Sequence, residues 1–407
     1  MGQQANIAPS RAPQRVLSQD HRQLNALTGI RAFAAGWVVV YHFRVQIIGL
    51  LPSTGILSPL MDSGYLGVDL FFGLSGFIIA YNYLDRLGES GKWSDRLRFL
   101  WLRLARVWPV HIFTLNVALL MAMFAKPMSI TSRLPNSPGR ALTLPGYLEN
   151  FSLTHIWFGQ NVTYNSPAWS VSAEWFAYLM FPLLAIVVAK VKSLRGAWLG
   201  AMACYATFGA AYVMYWGHAG ETGQAGLRVG FEFLAGCFLF RVSERAGNGM
   251  GWRWMVPTSV AGIVVGAVTI GSSTPYGVLL APLFGLLILG LAKGQGLFVR
   301  ILSTRVVVFG GEASYALYMT HALVQGLALR LLAVDRFTDN GWVVRAAVLA
   351  AYAVMIAVAA VLTFVLVEKP ARNWLRSVRV FAKPNSSEET HRENVGPAHT
   401  ADPAGDG

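Results

Sequence analysis

The chain has 407 residues, of which 54% are hydrophobic and only 13% are charged. An ordinary soluble domain has about 25% charged residues, so this composition excludes that class and indicates a protein that crosses a membrane several times. The net charge of +13 would suit nucleic-acid binding, but the basic residues lie at the ends of apolar runs instead of forming one face. This distribution follows the positive-inside rule and predicts no nucleic-acid partner.

The first segment, residues 1–23, is polar and contains Arg11, Arg15 and Arg22. It has no apolar stretch of the kind found in a cleavable signal peptide, so we expect a cytoplasmic N-terminal segment. Apolar runs long enough to cross a bilayer as helices follow it. The sequence therefore predicts an all-α, polytopic membrane bundle over residues 24–375, with about ten transmembrane helices: 27–50, 64–84, 99–124, 169–190, 196–216, 226–242, 255–271, 276–292, 308–334 and 342–367.

An even number of spans places both termini on the same side of the membrane. If that side is the cytoplasm, Lys and Arg concentrate in the inner loops and the tail, while the short outer loops have almost none, so we predict cytoplasmic termini. The long outer loop 125–168 includes a half-apolar stretch at 142–158, which is either a surface cap or a re-entrant segment lining a cavity. The polar tail, residues 376–407, is expected to be disordered.

The first predicted helix carries two ionisable side chains, Arg31 near its start and His42 well inside it. Ionisable groups at membrane depth are costly to bury and usually face a protein-lined or wet interior. Their separation corresponds to three helical turns plus roughly 20°, with a rise of about 16 Å along one face. One helix therefore offers a cation near one membrane surface and a candidate base toward the other.

Two carboxylates are expected at a depth similar to that of His42. Asp69 and Glu174 each lie about five residues below the outer end of their helices, and His42 lies in the outer half of its own. A carboxylate that accepts a hydrogen bond from an imidazole fixes its tautomer and raises its basicity, as in a catalytic dyad. The alternative is that these residues pair with backbone or hydroxyl groups and only fix the bundle; their matched depth favours the catalytic interpretation.

A pair of arginines, Arg103 and Arg106, lies near the inner end of the third predicted helix, one turn apart on the same face. The preceding Arg96 and Arg98 fit simple anchoring at the membrane surface. The deeper pair lies beside tryptophans, where anchoring explains less, and guanidinium groups bind phosphates through two hydrogen bonds. The sequence therefore predicts a phosphorylated ligand that enters from the cytosol.

The ninth predicted helix contains Tyr315, Tyr318 and His321 at a spacing of three, spread over about 120° of one side. His321 lies near mid-membrane and is either a second proton-handling group or a histidine satisfied by a neighbouring helix. Glu368 and the arginine four residues later are expected to form a structural ion pair at the inner surface. The role of Glu232 in the sixth predicted helix stays open.

Several classes of site have no motif in this sequence. There is no Walker loop, no GxSxG nucleophile elbow, and no CxxC or HxxxH spacing for a metal. The two cysteines, Cys204 and Cys237, lie in apolar segments and are interpreted as buried small residues. We therefore expect no bound cofactor, no metal, and no covalent serine or cysteine mechanism.

Six segments occur in order along the chain: Arg31 followed by His42 after ten intervening residues, GVDLFFGLSGF, RLARVWP, WSVSAEWFAY, SYALYMTH and VEKPARNW. Together they resemble the acyltransferase-3 family of bacterial integral-membrane O-acyltransferases, over residues 24–375. The resemblance implies a ten-helix protein of the bacterial inner (cell) membrane that moves an acyl group, usually acetyl, from cytosolic acyl-CoA to a hydroxyl, most often on a sugar. Polysaccharides, O-antigen, Nod factors and macrolide antibiotics are among the acceptors in that family.

The resemblance also implies roles for single residues. Arg31 and His42 match the family's essential pair, Arg103 and Arg106 match its arginine motif for the acyl donor, and Glu174 matches the carboxylate of WSxxxE. The chain has a glycine where the family often has valine in FFVLSGF, which we expect to change packing. It also lacks the C-terminal esterase-like domain of some members, so any further transfer step is expected here or in a partner.

Two functions fit these patterns. The first is an O-acyltransferase in which the arginines hold the CoA phosphates and His42, oriented by Glu174 or Asp69, deprotonates the acceptor hydroxyl. Polar groups of the ninth helix, such as Tyr318 or His321, would stabilise the oxyanion. The second is a proton-coupled transporter of a sugar or lipid-linked substrate that uses the same polar residues. Inverted repeats and broken helices would favour the transporter, and neither is evident, so the sequence predicts the enzyme.

Overall fold

The computed structural model describes residues 17–89, 91–124, 143–157, 164–214, 221–247, 249, 251–271 and 276–378. This part of the chain is helical and contains no strand, which confirms the predicted fold class. Most of the predicted N-terminal segment, residues 1–16, lies outside the described residues. So do 125–142 and 158–163 of the outer loop, and the tail after residue 378.

The helices, numbered in chain order, are α1 (Leu17–Leu50), α2 (Ser58–Asp62), α3 (Gly67–Leu87), α4 (Trp93–Phe124), α5 (Leu144–Phe151), α6 (Ala168–Lys190), α7 (Leu194–Met214), α8 (Glu221–Arg245), α9 (Trp252–Gly266), α10 (Ala281–Lys293), α11 (Leu297–Leu302), α12 (Arg305–Leu331), α13 (Trp342–Thr363) and α14 (Lys369–Ser377). Short 3₁₀ turns lie at Pro52–Leu57, Ser63–Leu66, Tyr276–Leu280 and Val334–Arg336. Two π-helical turns, Ala267–Gly271 and Phe364–Glu368, extend α9 and α13.

Nine helical stretches of the described residues are long and apolar enough to cross a membrane, and each corresponds to one of the ten predicted spans. Their bounds are Arg22–Leu50, Pro52–Leu87, Trp93–Met123, Ala168–Lys190, Leu194–Met214, Trp252–Gly271, Tyr276–Lys293, Arg305–Arg336 and Trp342–Ser377. The tenth predicted span, 226–242, lies within α8, which has 25 residues. A helix of that length is about 37 Å long, but Arg228 and Glu232 reduce the apolar character of α8.

Close packing holds α8 inside the bundle, where it runs along α3, α6 and α7. A Cβ atom on Gly76 of α3 would overlap the backbone of Phe233, and one on Gly236 of α8 would overlap the carbonyl oxygen of Gly73. Small residues of this kind let the backbones of two membrane helices approach each other. The glycine at position 73, where the resembling family often has valine, is therefore part of the contact between α3 and α8.

A second close contact joins α1 to α12, and α13 packs on the other side of α12. A Cβ atom on Gly311 would overlap the carbonyl oxygen of Thr28, so these two helices also approach at backbone distance. Farther along, Phe43, Val324 and Tyr352 belong to one buried apolar cluster shared by α1, α12 and α13. This packing turns the side of α1 that carries His42 toward α12.

The short helix α5 packs against the side of α4. The indole Nε1 of Trp108 donates to the carbonyl oxygen of Phe151 (3.1 Å), and Nε2 of His111 lies 2.7 Å from the carbonyl oxygen of Asn150. Trp108 precedes the end of α4 at Phe124 by more than four turns, a rise of about 24 Å. Because α5 contacts the middle of α4, the described residues 143–157 have the position of a re-entrant segment and not of a cap over the outer end.

Candidate active site

A cavity of about 170 Å³ lies between α1, α3, α4, α6 and α12. Side chains from all five helices line it: Leu27, Thr28, Arg31, Val68, Phe71, Phe72, Leu74, Ser75, Ile78, Ile79, Arg103, Arg106, Val107, Ser170, Val171, Glu174, Tyr178, Ser314, Tyr315 and Tyr318. Along α3 its wall extends from Val68 to Ile79, which corresponds to about 16 Å. The cavity is therefore elongated along the axis of the bundle.

Four charged residues singled out in the sequence meet in this cavity. Arg31 of α1, Arg103 and Arg106 of α4, and Glu174 of α6 all line it. Three cations and one carboxylate inside a membrane bundle are costly unless they bind each other or a ligand. Most of the remaining wall is apolar, so the cavity suits a ligand that combines negative charge with an apolar chain.

Glu174 is held by two hydroxyl groups. Ser75 Oγ donates to Glu174 Oε1 at 2.6 Å, and Tyr178 OH donates to the same oxygen at 2.5 Å. The two hydroxyls lie 3.3 Å apart, so the three residues form one small network. Because the carboxylate is bonded to hydroxyls of α3 and of its own helix, Glu174 makes no hydrogen bond to His42 in the described part of the chain.

Arg106 forms an ion pair with Glu368, whose side chain is only 1% exposed. Glu368 also makes the ion pair with Arg372 that the sequence predicted, at 3.5 Å. The guanidinium of Arg106 stacks over the ring of Tyr315 at 5.7 Å, and the Tyr315 hydroxyl donates to the carbonyl oxygen of Val107 at 2.6 Å. One carboxylate thus links α4 to the end of α13, and it holds the arginine whose predicted role is donor binding.

The other two arginines of the cavity are bound less strongly. Arg103 Nη2 donates to the hydroxyl of Tyr83 at 3.1 Å, and no carboxylate of the described residues pairs with it. Arg31 lies over the ring of Phe71 at 5.9 Å and has neither an ion pair nor a side-chain hydrogen bond to any described residue. Arg31 and Arg103 are therefore available to an anionic ligand without first breaking an ion pair.

Asp69, predicted as a catalytic carboxylate, lies outside this cavity. Both of its oxygens accept hydrogen bonds from Arg228, at 2.8 and 2.9 Å, and Arg228 is stacked near Tyr65 and Trp169. This bidentate pair is buried and joins α3 to α8. The partner of Asp69 is therefore Arg228, and no described contact connects Asp69 to His42. Glu232 lies on α8 one turn after Arg228, and neither of its carboxylate oxygens has a hydrogen-bond partner among the described residues.

The imidazole of His42 lies next to another imidazole. The ring centroids of His42 and His321 are 4.8 Å apart, and Tyr41 lies on a further side of His42 at 5.1 Å. His321 Nδ1 is 2.6 Å from the carbonyl oxygen of Tyr318. Farther along the same helices, Gln325 Nε2 donates to the carbonyl oxygen of His42 at 2.5 Å. The structure thus places the first candidate base beside the histidine of α12, and no carboxylate among the described residues pairs with it.

Tyr318 connects this histidine pair to the cavity. Its hydroxyl shares a hydrogen bond of 2.8 Å with Ser170 Oγ, and both residues line the cavity wall. The Tyr318 ring is 5.8 Å from that of His321, one helical turn farther along α12. Tyr318 therefore lies between the cavity with its arginines and the pair His42–His321.

Several residues of this arrangement were not anticipated from the sequence. Ser170 and Tyr178 each lie four residues from Glu174 on one helix, and that spacing would have been a signal. Ser75 and Arg228 meet their partners across two helices, so the sequence carries no such signal for them. Among the residues that the structure describes, no group of three His, Cys, Asp or Glu side chains could hold a metal ion. Cys204 and Cys237 are buried free thiols.

Comparison with known proteins assigns a class to this geometry. Residues 24–364 match the family described as "Acyltransferase domain". The acyltransferase MdmB of Streptomyces mycarofaciens is 29% identical over 380 residues, which cover 87% of this chain and 92% of MdmB. No solved structure matches the chain.

Two further relatives match a smaller part of this chain. The O-acetyltransferase OatA of Staphylococcus aureus is 30% identical over 172 residues, which cover 40% of this chain and 25% of OatA. YrhL of Bacillus subtilis, named as a candidate peptidoglycan O-acetyltransferase, is 24% identical over 185 residues, which cover 44% of this chain and 26% of YrhL.

Proposed function

This chain belongs to the family of acyltransferase domains, and on that premise we propose that it transfers an acetyl group from acetyl-CoA to a hydroxyl of a carbohydrate or glycoside. Its relatives and its apolar helices make it a membrane-bound O-acyltransferase. One observation carries the proposal: three guanidinium groups and a carboxylate surround a cavity whose wall includes Tyr318, and the Tyr318 ring lies beside His321, the neighbour of His42. We place it in the bacterial cell membrane, with the arginine end of the cavity toward the cytosol.

The arginines support an acyl-CoA donor because its phosphates are the anionic groups that guanidinium forks bind best. Arg31 and Arg103 have no carboxylate partner among the described residues, so their charges are available to those phosphates. A cavity of about 170 Å³ is below the usual size of a site for a whole cofactor-sized ligand. It therefore holds the narrow thioester end of the donor, while the nucleotide stays at the cytosolic opening.

His42 is the proposed general base. Its free ring nitrogen takes the proton of the acceptor hydroxyl as the hydroxyl oxygen forms a bond to the thioester carbon. The carbon–sulfur bond then breaks, and the CoA thiolate takes up the proton that His42 gained, so that the acetyl ester, free CoA and neutral His42 result. The hydroxyls of Tyr318 and Ser170, at the end of the cavity near the histidines, support donation to the developing oxyanion.

Glu174 has a different role in this proposal from the one that the sequence predicted. Its carboxylate lines the same cavity as Arg31 and is held by Ser75 and Tyr178. A fixed negative charge near unpaired guanidinium groups lowers the energy of the empty site. We therefore assign Glu174 to charge balance and positioning of the donor arginines, and not to orientation of His42.

The acceptor class rests on the relatives. One of them is named as a candidate peptidoglycan O-acetyltransferase and another as an O-acetyltransferase, so a sugar hydroxyl is the acceptor that these names support. MdmB matches over 92% of its length and is named only as an acyltransferase, so its name gives no acceptor class. A small glycoside such as a macrolide is therefore tested beside an oligosaccharide.

The test uses full-length protein in nanodiscs with ¹⁴C-acetyl-CoA and two probe acceptors, an N-acetylglucosamine oligomer and a macrolide glycoside. We expect acceptor-dependent release of CoA and a labelled ester, both reduced by at least about 100-fold in His42→Gln because general-base catalysis contributes 10²–10⁴-fold. His111→Gln is the matched control, since His111 is a buried histidine of α4 outside the cavity. Equal turnover in His42→Gln would overturn the histidine mechanism, and sugar movement without CoA release would favour the transporter.

A further inference from the structure

We propose that His321 is the residue that positions His42 for catalysis, in the place that a carboxylate occupies in a catalytic dyad. The proposal rests on the proposed function, in which His42 is the base. It concerns the contact between two imidazole rings on α1 and α12, whose centroids are 4.8 Å apart.

The hydrogen bond at one side of His321 determines its tautomer. Nδ1 of His321 is 2.6 Å from the carbonyl oxygen of Tyr318. A carbonyl oxygen only accepts hydrogen bonds, so Nδ1 carries the proton and Nε2 of the neutral ring presents a lone pair. His321 is therefore a hydrogen-bond acceptor on the side that does not face the Tyr318 carbonyl.

This acceptor nitrogen is buried without a partner. The side chain of His321 is 0% exposed, and Nε2 has no hydrogen-bond partner among the described residues. Leaving a buried acceptor unpaired is costly, so a nearby donor is favoured. The imidazole of His42 is the adjacent ring with an N–H to give, and a rotation about its ring torsion turns that N–H toward Nε2 of His321.

The same hydrogen bond would prepare His42 for its role. An imidazole that donates one N–H keeps the lone pair on its other nitrogen, which is then the atom that accepts the proton of the acceptor. Gln325 stabilises this arrangement because its Nε2 donates to the carbonyl oxygen of His42 and to Gln46 Oε1 (3.3 Å), which ties α12 to α1.

No carboxylate of the described residues is placed to do this instead. Asp69 is bonded through both oxygens to Arg228, and Glu174 accepts hydrogen bonds from Ser75 and Tyr178. A neutral imidazole is also less costly to bury at membrane depth than a second carboxylate. The structure therefore assigns the positioning role to a neutral histidine.

Two amide variants of His321 separate a positioning role from a merely structural one. In His321→Gln the amide oxygen lies near the former Nε2 and can still accept from His42, whereas in His321→Asn the amide reaches only the former Nδ1 position. We expect kcat to fall about 100-fold in His321→Asn and to be largely restored in His321→Gln. The KM for acetyl-CoA should stay at the wild-type value in both variants.

Melting temperatures of the two variants complete the comparison. If His321 only fills space, activity should follow the melting temperature and the Gln variant should have no advantage. Wild-type kcat in His321→Asn, or equal loss in both variants at equal melting temperature, would overturn the proposal while leaving the His42 mechanism standing.

A spectroscopic readout is independent of turnover. The protein is labelled with ¹⁵N-histidine, and the Nε2 resonance of His321 is assigned as the one that disappears in His321→Gln. Its chemical shift should be that of an unprotonated nitrogen whose lone pair accepts a hydrogen bond. If His42→Gln is inactive, the chemical shift of His321 Nε2 should change in that variant. In His111→Gln it should stay at the wild-type value. An Nε2 resonance that is protonated, or unaffected by His42→Gln, would overturn the inference. Retained activity in His42→Gln would instead overturn the proposed base, and the positioning role with it.

Discussion

Arg31 and Glu174 carry opposite charges on the wall of one cavity, and they differ in how those charges are held. Glu174 accepts two short hydrogen bonds from hydroxyls, whereas Arg31 has only an aromatic neighbour among the described residues. A buried carboxylate with two donors is stable in the empty protein, but a guanidinium without an acceptor gains most when an anion arrives. At the scale of single residues, Arg31 is therefore the side chain whose contacts should change most on donor binding.

We predict that Arg31→Gln raises the KM for acetyl-CoA by about 10- to 100-fold, because a hydrogen bond to a charged group contributes about 1.5–3 kcal/mol. The KM of Arg31→Lys should lie between those of the wild type and Arg31→Gln, since an ammonium keeps the charge but loses the planar fork. Steady-state kinetics in nanodiscs would measure both. Arg44→Gln is the matched control on the same helix, because Arg44 pairs with Asp62 at a partly exposed position. The same KM in all variants would contradict a donor-binding role for Arg31.

At the scale of elements, α8 shows how a helix with charged residues is accommodated inside the bundle. Its backbone approaches α3 at Gly76 and Gly236, and Arg228 reaches Asp69 across the same interface. The close approach allows a short bidentate ion pair, and this pair compensates the burial of both charges. Asp69 therefore stabilises the contact between two helices, although the sequence predicted it as a catalytic partner of His42.

We predict that Asp69→Asn and Arg228→Gln each lower the free energy of unfolding by about 3–5 kcal/mol, because each leaves one buried charge unpaired. The double variant should lose less than the sum of the two. Apparent melting temperatures in detergent would measure this cycle.

The same variants decide between a structural and a catalytic role of Asp69. The kcat of folded Asp69→Asn should stay close to wild type, whereas loss of a group that orients a general base costs about 10²–10⁴-fold. A large loss of kcat without a change in melting temperature would restore the catalytic interpretation.

At the scale of the whole molecule, apolar and polar side chains are distributed as in a membrane protein. Large apolar residues are exposed on the outside, among them Val45, Leu120, Leu183, Leu199 and Leu366. In water such a surface would aggregate, but in a bilayer it contacts lipid chains. The arginines of the cavity, Tyr318 and the pair His42–His321 lie between helices of the bundle.

The predicted orientation, with both termini in the cytoplasm, can be tested by labelling single cysteines in intact cells. Cys204 and Cys237 are buried, so the background of a membrane-impermeant maleimide should be low. We expect Asp339→Cys in the loop before α13 to react in intact cells, and Ser193→Cys between α6 and α7 to react only after permeabilisation. The reverse pattern would place the termini outside and the arginine end of the cavity away from cytosolic acyl-CoA.

The sequence predicted which segments are helical better than it predicted which side chains contact each other. Nine of the ten spans are recovered because apolar length is a local property, whereas the polar residues of α8 lower its hydropathy without expelling it from the bundle. The arginines and Glu174 line one cavity, whereas the sequence placed Glu174 beside His42 and the arginine pair nearer the inner surface. The predicted contact of His42 with a carboxylate is not present: its neighbour is His321, because the close packing of α1 and α12 brings these two faces together.

The sequence by itself determined which segments are helices, since apolar length depends only on the order of residues. Only the tertiary structure decided which polar residues meet. The sequence predicted similar depths for Asp69 and Glu174, yet one faces Arg228 and the other faces Ser75 and Tyr178. The rotation of each helix about its axis is set by packing against its neighbours, where small residues such as Gly76 and Gly311 allow close approach.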